Sequence, residues 1–179
     1  MFSKSVSVVK LSSASLCFTI ACLILYVQFF SSLPFEHITF GEGFRPESSE
    51  LPTIFVFQSN TDVMDFARAL GADESNSGYT SQLAQLQVIN YQTHVAVLVS
   101  RGWAGPYSGI QVNRVRRVGQ KIEVHVAFTD RFCITSCGGP AVVLTPYELI
   151  TVPRSVLPTS PSSYVLQVWW RNVATHRVQ

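Results

Sequence analysis

Charge is scarce in this chain. Asp, Glu, Lys and Arg make up 13% of its 179 residues, about half of the ~25% found in an ordinary soluble domain. Part of the deficit sits in one place, since Leu11–Phe30 reads LSSASLCFTIACLILYVQFF without a charged residue. An excess of either sign is lacking too. Of the 13 Lys and Arg, Lys4 and Lys10 precede the apolar run, which leaves 11 against 11 Asp and Glu in the remainder. A neutral domain has no electrostatic means of gripping a phosphate backbone, so nucleic acid is excluded as a partner. The one basic cluster, Arg114, Arg116 and Arg117, reads as a solvated strand face.

Cysteine is also sparse. Of the 4 in the chain, Cys17 and Cys22 fall inside the apolar run, leaving only Cys133 and Cys137 beyond it. Two thiols three positions apart are short of the four ligands of a structural zinc site. The segment RFCITSCGGPAVVL turns into a strand after Cys137, so it lacks the helix N-terminus that activates a Cys-x2-Cys redox pair. The nucleophile elbow G-x-S-x-G is absent as well, because in GPYSG Ser108 stands one position late. No cofactor or metal is expected.

Twenty residues of helix rise about 30 Å, the thickness of the hydrocarbon core of a bilayer. Tyr26, Phe29 and Phe30 stand at the far end of the run, where rings favour the interface. A cleavage site wants small residues, and YVQFFSSLPF offers them poorly. A lipidated Cys22 after TIA would be followed by the apolar LILYVQFF rather than by a polar mature chain. A retained single-pass anchor fits best. Lys4 and Lys10 lie before the run and the next basic residue is Arg45, so the N-terminus is expected in the cytoplasm and the rest outside the cell membrane. The organisation is then a cytoplasmic tail (1–10), a transmembrane anchor (11–31), a juxtamembrane linker rich in Ser, Pro, Gly and Glu (32–52) and an exterior domain (53–179).

Within that domain TIFVFQ (53–58) reads as a strand. SNTDVMDFARALG (59–71) reads as a helix capped by Asn60 or Thr61, with Val63, Phe66, Ala67 and Leu70 on one face. HVAVLVS (94–100) is apolar on both faces and reads as a central strand. GIQVNRVRRV (109–118) and KIEVHVAFT (121–129) pair through Gly119–Gln120, with a bulge near Arg114 to reconcile their phases. AVVLT (141–145), YELITV (147–152) and a last strand YVLQVWWRNV (164–173) follow, the last setting Trp169 and Trp170 on opposite faces. One helix among six or seven strands predicts an α+β fold, mainly antiparallel sheet or a small sandwich with the helix packed on it, preceded by the transmembrane helix.

From about Phe55 to Pro158 the order of elements resembles the C-terminal domain of the PrcB-like family, named for a protease complex subunit. The resemblance rests on the helix DVMDFARALG, the buried strand VAVLVSRG ending in Gly102, and the turn WAGPYSGIQV with Tyr107. The hairpin VRRVGQKIEVHV and the close TPYELITVPRSVLP complete it. Pro106 replaces the second Gly of the family's Gly-Gly-Tyr, and 159–179 lies beyond the family's usual end. The resemblance implies an exported accessory module that helps stabilise a surface or periplasmic protein complex, and it brings no catalytic residues.

The loop SRGWAGPYSG sets Arg101, Trp103 and Tyr107 at the end of a rigid strand, residue types enriched in binding hot spots. These three are the candidate contacts to a protein partner. Cys133 and Cys137, placed outside the cytoplasm, are expected to form a disulfide that stiffens one loop, with two free thiols as the alternative. Two other functions compete with the non-catalytic binding module: a small hydrolase or thiol enzyme using Ser108 or Cys137 with His94, His125 or His176, and a ligand-sensing or envelope-structural domain.

Overall fold

In the computed structural model the described residues are 18–20, 22, 32–41, 51–70, 83–104, 108–130, 145–169 and 171–177. The chain divides into two compact units, Met1–Ser31 and Ser32–Gln179. Of the first unit, residues 18–20 and 22 are helical and exposed. The rest of the run 11–30 lies outside the described residues, among which no helix is long and apolar enough to cross a membrane.

The second unit is built on two four-stranded sheets. The first has the order β1 (Glu36–Gly41), β6 (Tyr147–Pro153), β3 (His94–Ser100), β2 (Thr53–Phe57), and every neighbouring pair is antiparallel. The second has the order β4 (Ser108–Val118), β5 (Lys121–Asp130), β7 (Ser163–Val168), β8 (Arg171–Arg177). Its β5 and β7 run parallel, so the sheet is mixed rather than purely antiparallel. The reason is topological: between β5 and β7 the chain crosses to the first sheet to make β6, and it returns in the original direction.

The sheets face each other across one apolar core. Val95, Val97, Val99, Ile150 and Val152 of the first meet Val112, Val115, Ile122, Val124, Tyr164 and Leu166 of the second. Alternation puts the remaining residues of β3 on the opposite face. There Ala96 and Leu98, with Phe57, Tyr147 and Leu149, pack under α1 (Asn60–Ala69) and a helical turn at 83–87, contributing Val63 and Leu86. A strand covered on both faces must be apolar at every position, which is why HVAVLVS could be read as central.

Several expectations hold and several change. The hairpin turns at Gly119, whose φ of 62° suits glycine, and β4 slips register between Val112 and Arg114 where the bulge was expected. The cap of α1 is Ser59 rather than Asn60 or Thr61: its hydroxyl accepts from the Asp62 N–H and the Asp62 carboxylate accepts from the Ser59 N–H, a capping box. Arg116 is not solvated. Its guanidinium bonds Glu123 at 2.6 Å, and Glu123 also meets His125 at 3.3 Å, with the three side chains 17%, 13% and 12% exposed. The stretch read as linker supplies β1, because EHITFG carries β-branched and aromatic residues that pair with the otherwise open edge of β6. The expected last strand is two, β7 and β8, reversed at Trp169, whose φ is 51°. That backbone puts Trp169 in a turn rather than in a strand, and Trp170 lies outside the described residues. The expected strand 141–145 falls outside them as well, except for Thr145.

Candidate functional site

The registers bring several strand ends toward one end of the sandwich. β3 finishes there at Ser100, opposite Tyr147 and Thr53. β1 finishes at Gly41, also opposite Tyr147. β4 begins there at Ser108, opposite Asp130, and β7 stops at Val168, opposite Val126. Arg101 and Trp103 therefore project from the end of the central strand, as the sequence implied. Tyr107, Cys133 and Cys137 lie outside the described residues.

Arg101 ties the two sheets together. Its backbone N–H donates to the Pro146 carbonyl at 3.0 Å, and Nη1 donates to the carbonyls of Thr129 at 3.2 Å and Gly109 at 3.4 Å. The guanidinium lies 4.8 Å from the centre of the Phe128 ring, within cation–π range. Gly102 then reverses the chain at a φ of 81°, its N–H bonded to the Ser100 hydroxyl, and this turn presents Trp103. Trp103 is 58% exposed.

Trp103 has company. Phe40, next to the end of β1, is 82% exposed, Leu51, two residues before β2, is 72% exposed, and Trp169 at the β7–β8 turn is 80% exposed. Strand registers place Phe40, Leu51 and Trp103 toward the same end, whereas Trp169 follows Val168, which lies opposite Val126, four residues short of Asp130. Between β1 and β4 opens a cavity of about 380 Å³, lined by Phe40, Gly41, Ser108, Gly109, Ile110, Pro146 and Tyr147. It is a wedge. The two edge strands are joined at Leu33, whose N–H donates to the Val115 carbonyl at 2.7 Å, and they separate toward Gly41 and Ser108. Gly41 keeps one wall close, because a Cβ there would come within 2.9 Å of the Tyr147 hydroxyl.

Behind this wedge sits Glu148, 3% exposed and turned into the seam between the sheets. One carboxylate oxygen accepts from the Val112 N–H, and the other is bonded by Nδ1 of His37. The bulge explains the first bond, since the slip after Val112 re-aims the edge of β4 toward the opposite sheet. Glu148 thereby joins β6, β4 and β1 at one point. Sequence reading missed it, and also missed His37 and Phe40. The signal was present as a single acidic residue at an inward phase of YELITV, but its partner His37 belonged to a stretch read as linker.

The histidines weighed as bases for Ser108 lie elsewhere. His125 pairs with Arg114 toward the far end of the hairpin. His94 opens β3 at the other end of the sheet, and its Nδ1 is bonded to the Thr93 hydroxyl. His176 lies opposite Tyr164 near the start of β7. No group of three His, Cys, Asp or Glu able to hold a metal occurs among the described residues. No family model, no curated protein and no solved structure matches this chain.

Proposed function

We propose that the chain is a membrane-anchored binding module without catalytic activity, facing the outside of the cell, whose loop end engages a protein partner. The observation that carries this reading is the exposure of large apolar side chains at the ends of rigid strands: Trp103 after β3, Phe40 beside an apolar wedge between β1 and β4, and Leu51 and Trp169 toward the edge formed by β2 and β8. Large exposed apolar side chains are individually ordinary, but two tryptophans displayed at the ends of rigid strands are of the type that anchors an interface. Arg101 and Glu148 support it by holding the strand ends that present these residues. The uncharged run 11–30 behind Lys4 and Lys10 supplies the single-pass anchor, with the N-terminus in the cytoplasm. The resemblance to PrcB-like domains suggests a partner within a surface or periplasmic protease complex.

One experiment tests both partner and topology. Trp103→Cys in the full-length chain is treated in intact cells with a membrane-impermeant thiol crosslinker, with the unsubstituted chain as the blank. The expected result is one discrete protein adduct, absent when the probe is placed instead at Val88, an exposed apolar residue elsewhere on the domain. Equal adducts from positions 88 and 103 refute the loop-end interface. Adducts that form only after lysis refute the exterior placement.

A further inference from the structure

The opposite end of the first sheet holds a second cavity, of about 260 Å³, lined by Gln58, Val95, Arg154, Leu157, Pro158, Thr159, Pro161 and Tyr164. The ~30 Å³ share of a single water is small beside it. Two of its polar groups are out of the ordinary. Tyr164 is completely buried, and its hydroxyl has no hydrogen-bond partner among the described residues. A buried phenol is normally paired, so an orphan one that lines a cavity is a donor available to a ligand. Arg154 is held rigidly: Nε donates to the Tyr91 carbonyl at 2.8 Å and Nη2 to the Gln58 carbonyl at 2.6 Å. Neither acceptor is charged, and no carboxylate lies within ion-pair distance of Arg154 among the described residues. The one acid of the neighbouring helix start, Asp62, is engaged by the N–H groups of Gln58 and Ser59.

We propose that this cavity binds a carboxylate, with Arg154 and the Tyr164 hydroxyl as its two donors. A carboxylate matches them in number and charge: two oxygens for two donors, and one negative charge for one guanidinium. A phosphate dianion would leave a charge unmatched. Val95, Leu157, Pro158 and Pro161 form apolar walls for a short hydrocarbon group attached to the carboxylate. The acid is either a free small molecule or the C-terminus of a peptide. The site is independent of the loop-end interface, since it lies where β3 begins and β6 ends.

The test is methyl NMR of the full-length chain in detergent, following the Val95 resonance. Isobutyrate represents the free acid and an N-acetylated dipeptide acid represents the chain end, each with its amide as control. The expected result is a saturable shift with one or both acids and with neither amide. A shift with isobutyrate alone assigns the small-molecule source, and one with the dipeptide alone assigns the chain end. Tyr164→Phe keeps the packing and removes only an unpaired hydroxyl. It is expected to fold as stably as the native chain while weakening acid binding about tenfold or more, as for a hydrogen bond to a charged group. Absence of a shift with both acids, equal shifts with acid and amide, or unchanged affinity in Tyr164→Phe overturns the proposal.

Discussion

Each end of the first sheet carries an arginine aimed at backbone carbonyls, and the two are used differently. Arg154 closes the helix end with two short bonds, to Tyr91 and Gln58 at 2.8 and 2.6 Å, joining β6 to the start of α1 and to the turn before β3. Arg101 closes the loop end with longer bonds, 3.2 and 3.4 Å, and a ring contact to Phe128. Around Arg154 the apolar residues are inside: Tyr164 and Val95 are buried. Beyond Arg101 the neighbouring Trp103 is outside, as are Phe40 and Leu51 at the ends of other strands of the same sheet. The Arg154 end is the more tightly tied of the two, and the Arg101 end is the one that leaves large apolar residues exposed.

Breaking the ties should expose that difference. Arg154→Ala strands two part-buried carbonyls, so unfolding in denaturant is expected to show a loss of about 3 kcal/mol, within the range for losing bonds from a charged donor. Arg101→Ala is expected to lose about 1 kcal/mol, because its bonds are long and one of its acceptor contacts is exposed. Equal losses would mean that the two ends are not differently built.

The contrast between the ends was only half legible in the sequence. Strand identity was readable wherever burial imposes a pattern: continuous apolar residues in HVAVLVS, strict alternation in KIEVHVAFT, and a phase slip in GIQVNRVRRV that demanded a bulge. Trp103 was readable as a residue at the end of a buried strand that stops at Gly102, but not as one whose indole faces outward rather than folding back over the core. The parallel pairing of β5 with β7 was not, since it depends on the path of the chain through another sheet. β1 was hidden because its three strand-forming residues, Ile38, Thr39 and Phe40, sit in a stretch rich in Ser, Pro, Gly and Glu, and edge pairing rewards a sequence only when a partner edge is near. Glu148 shows why sites are harder than folds. Its role depends on Val112 and His37, which lie 36 and 111 residues away in the chain.

A smaller effect comes from two histidines of the second sheet. Burial holds the His125 imidazole below its ordinary value of 6.5, against the pull of Glu123, and burial does the same to His176 at the helix end. The unfolded chain therefore takes up these protons first as pH falls. Stability from both groups is complete above pH 6.5 and is lost as the pH drops through their depressed folded values. Thermal unfolding between pH 7 and 5 should show a falling Tm, and His125→Gln should flatten part of that slope. Both imidazoles keep some contact with solvent, which screens the effect. A Tm that rises on acidification would contradict the burial of both rings.

The smallest expected change runs in the opposite direction. Trp169 turns β7 into β8 at a φ of 51°, a region that favours Gly and Asn and crowds an ordinary side chain. Its indole is 80% exposed, so removing it forfeits little packing. Trp169→Asn should therefore raise stability by about 0.5 kcal/mol, since Asn tolerates this backbone and is favoured in two-residue hairpin turns. If the loop end is a binding surface, the same substitution should weaken crosslinking from position 103 while the domain becomes more stable. A strained, solvent-exposed tryptophan is poorly explained by folding alone, and opposite movements of stability and partner capture would locate its purpose in binding. A loss of stability would place the indole against the sheet and remove Trp169 from the surface that distinguishes this end.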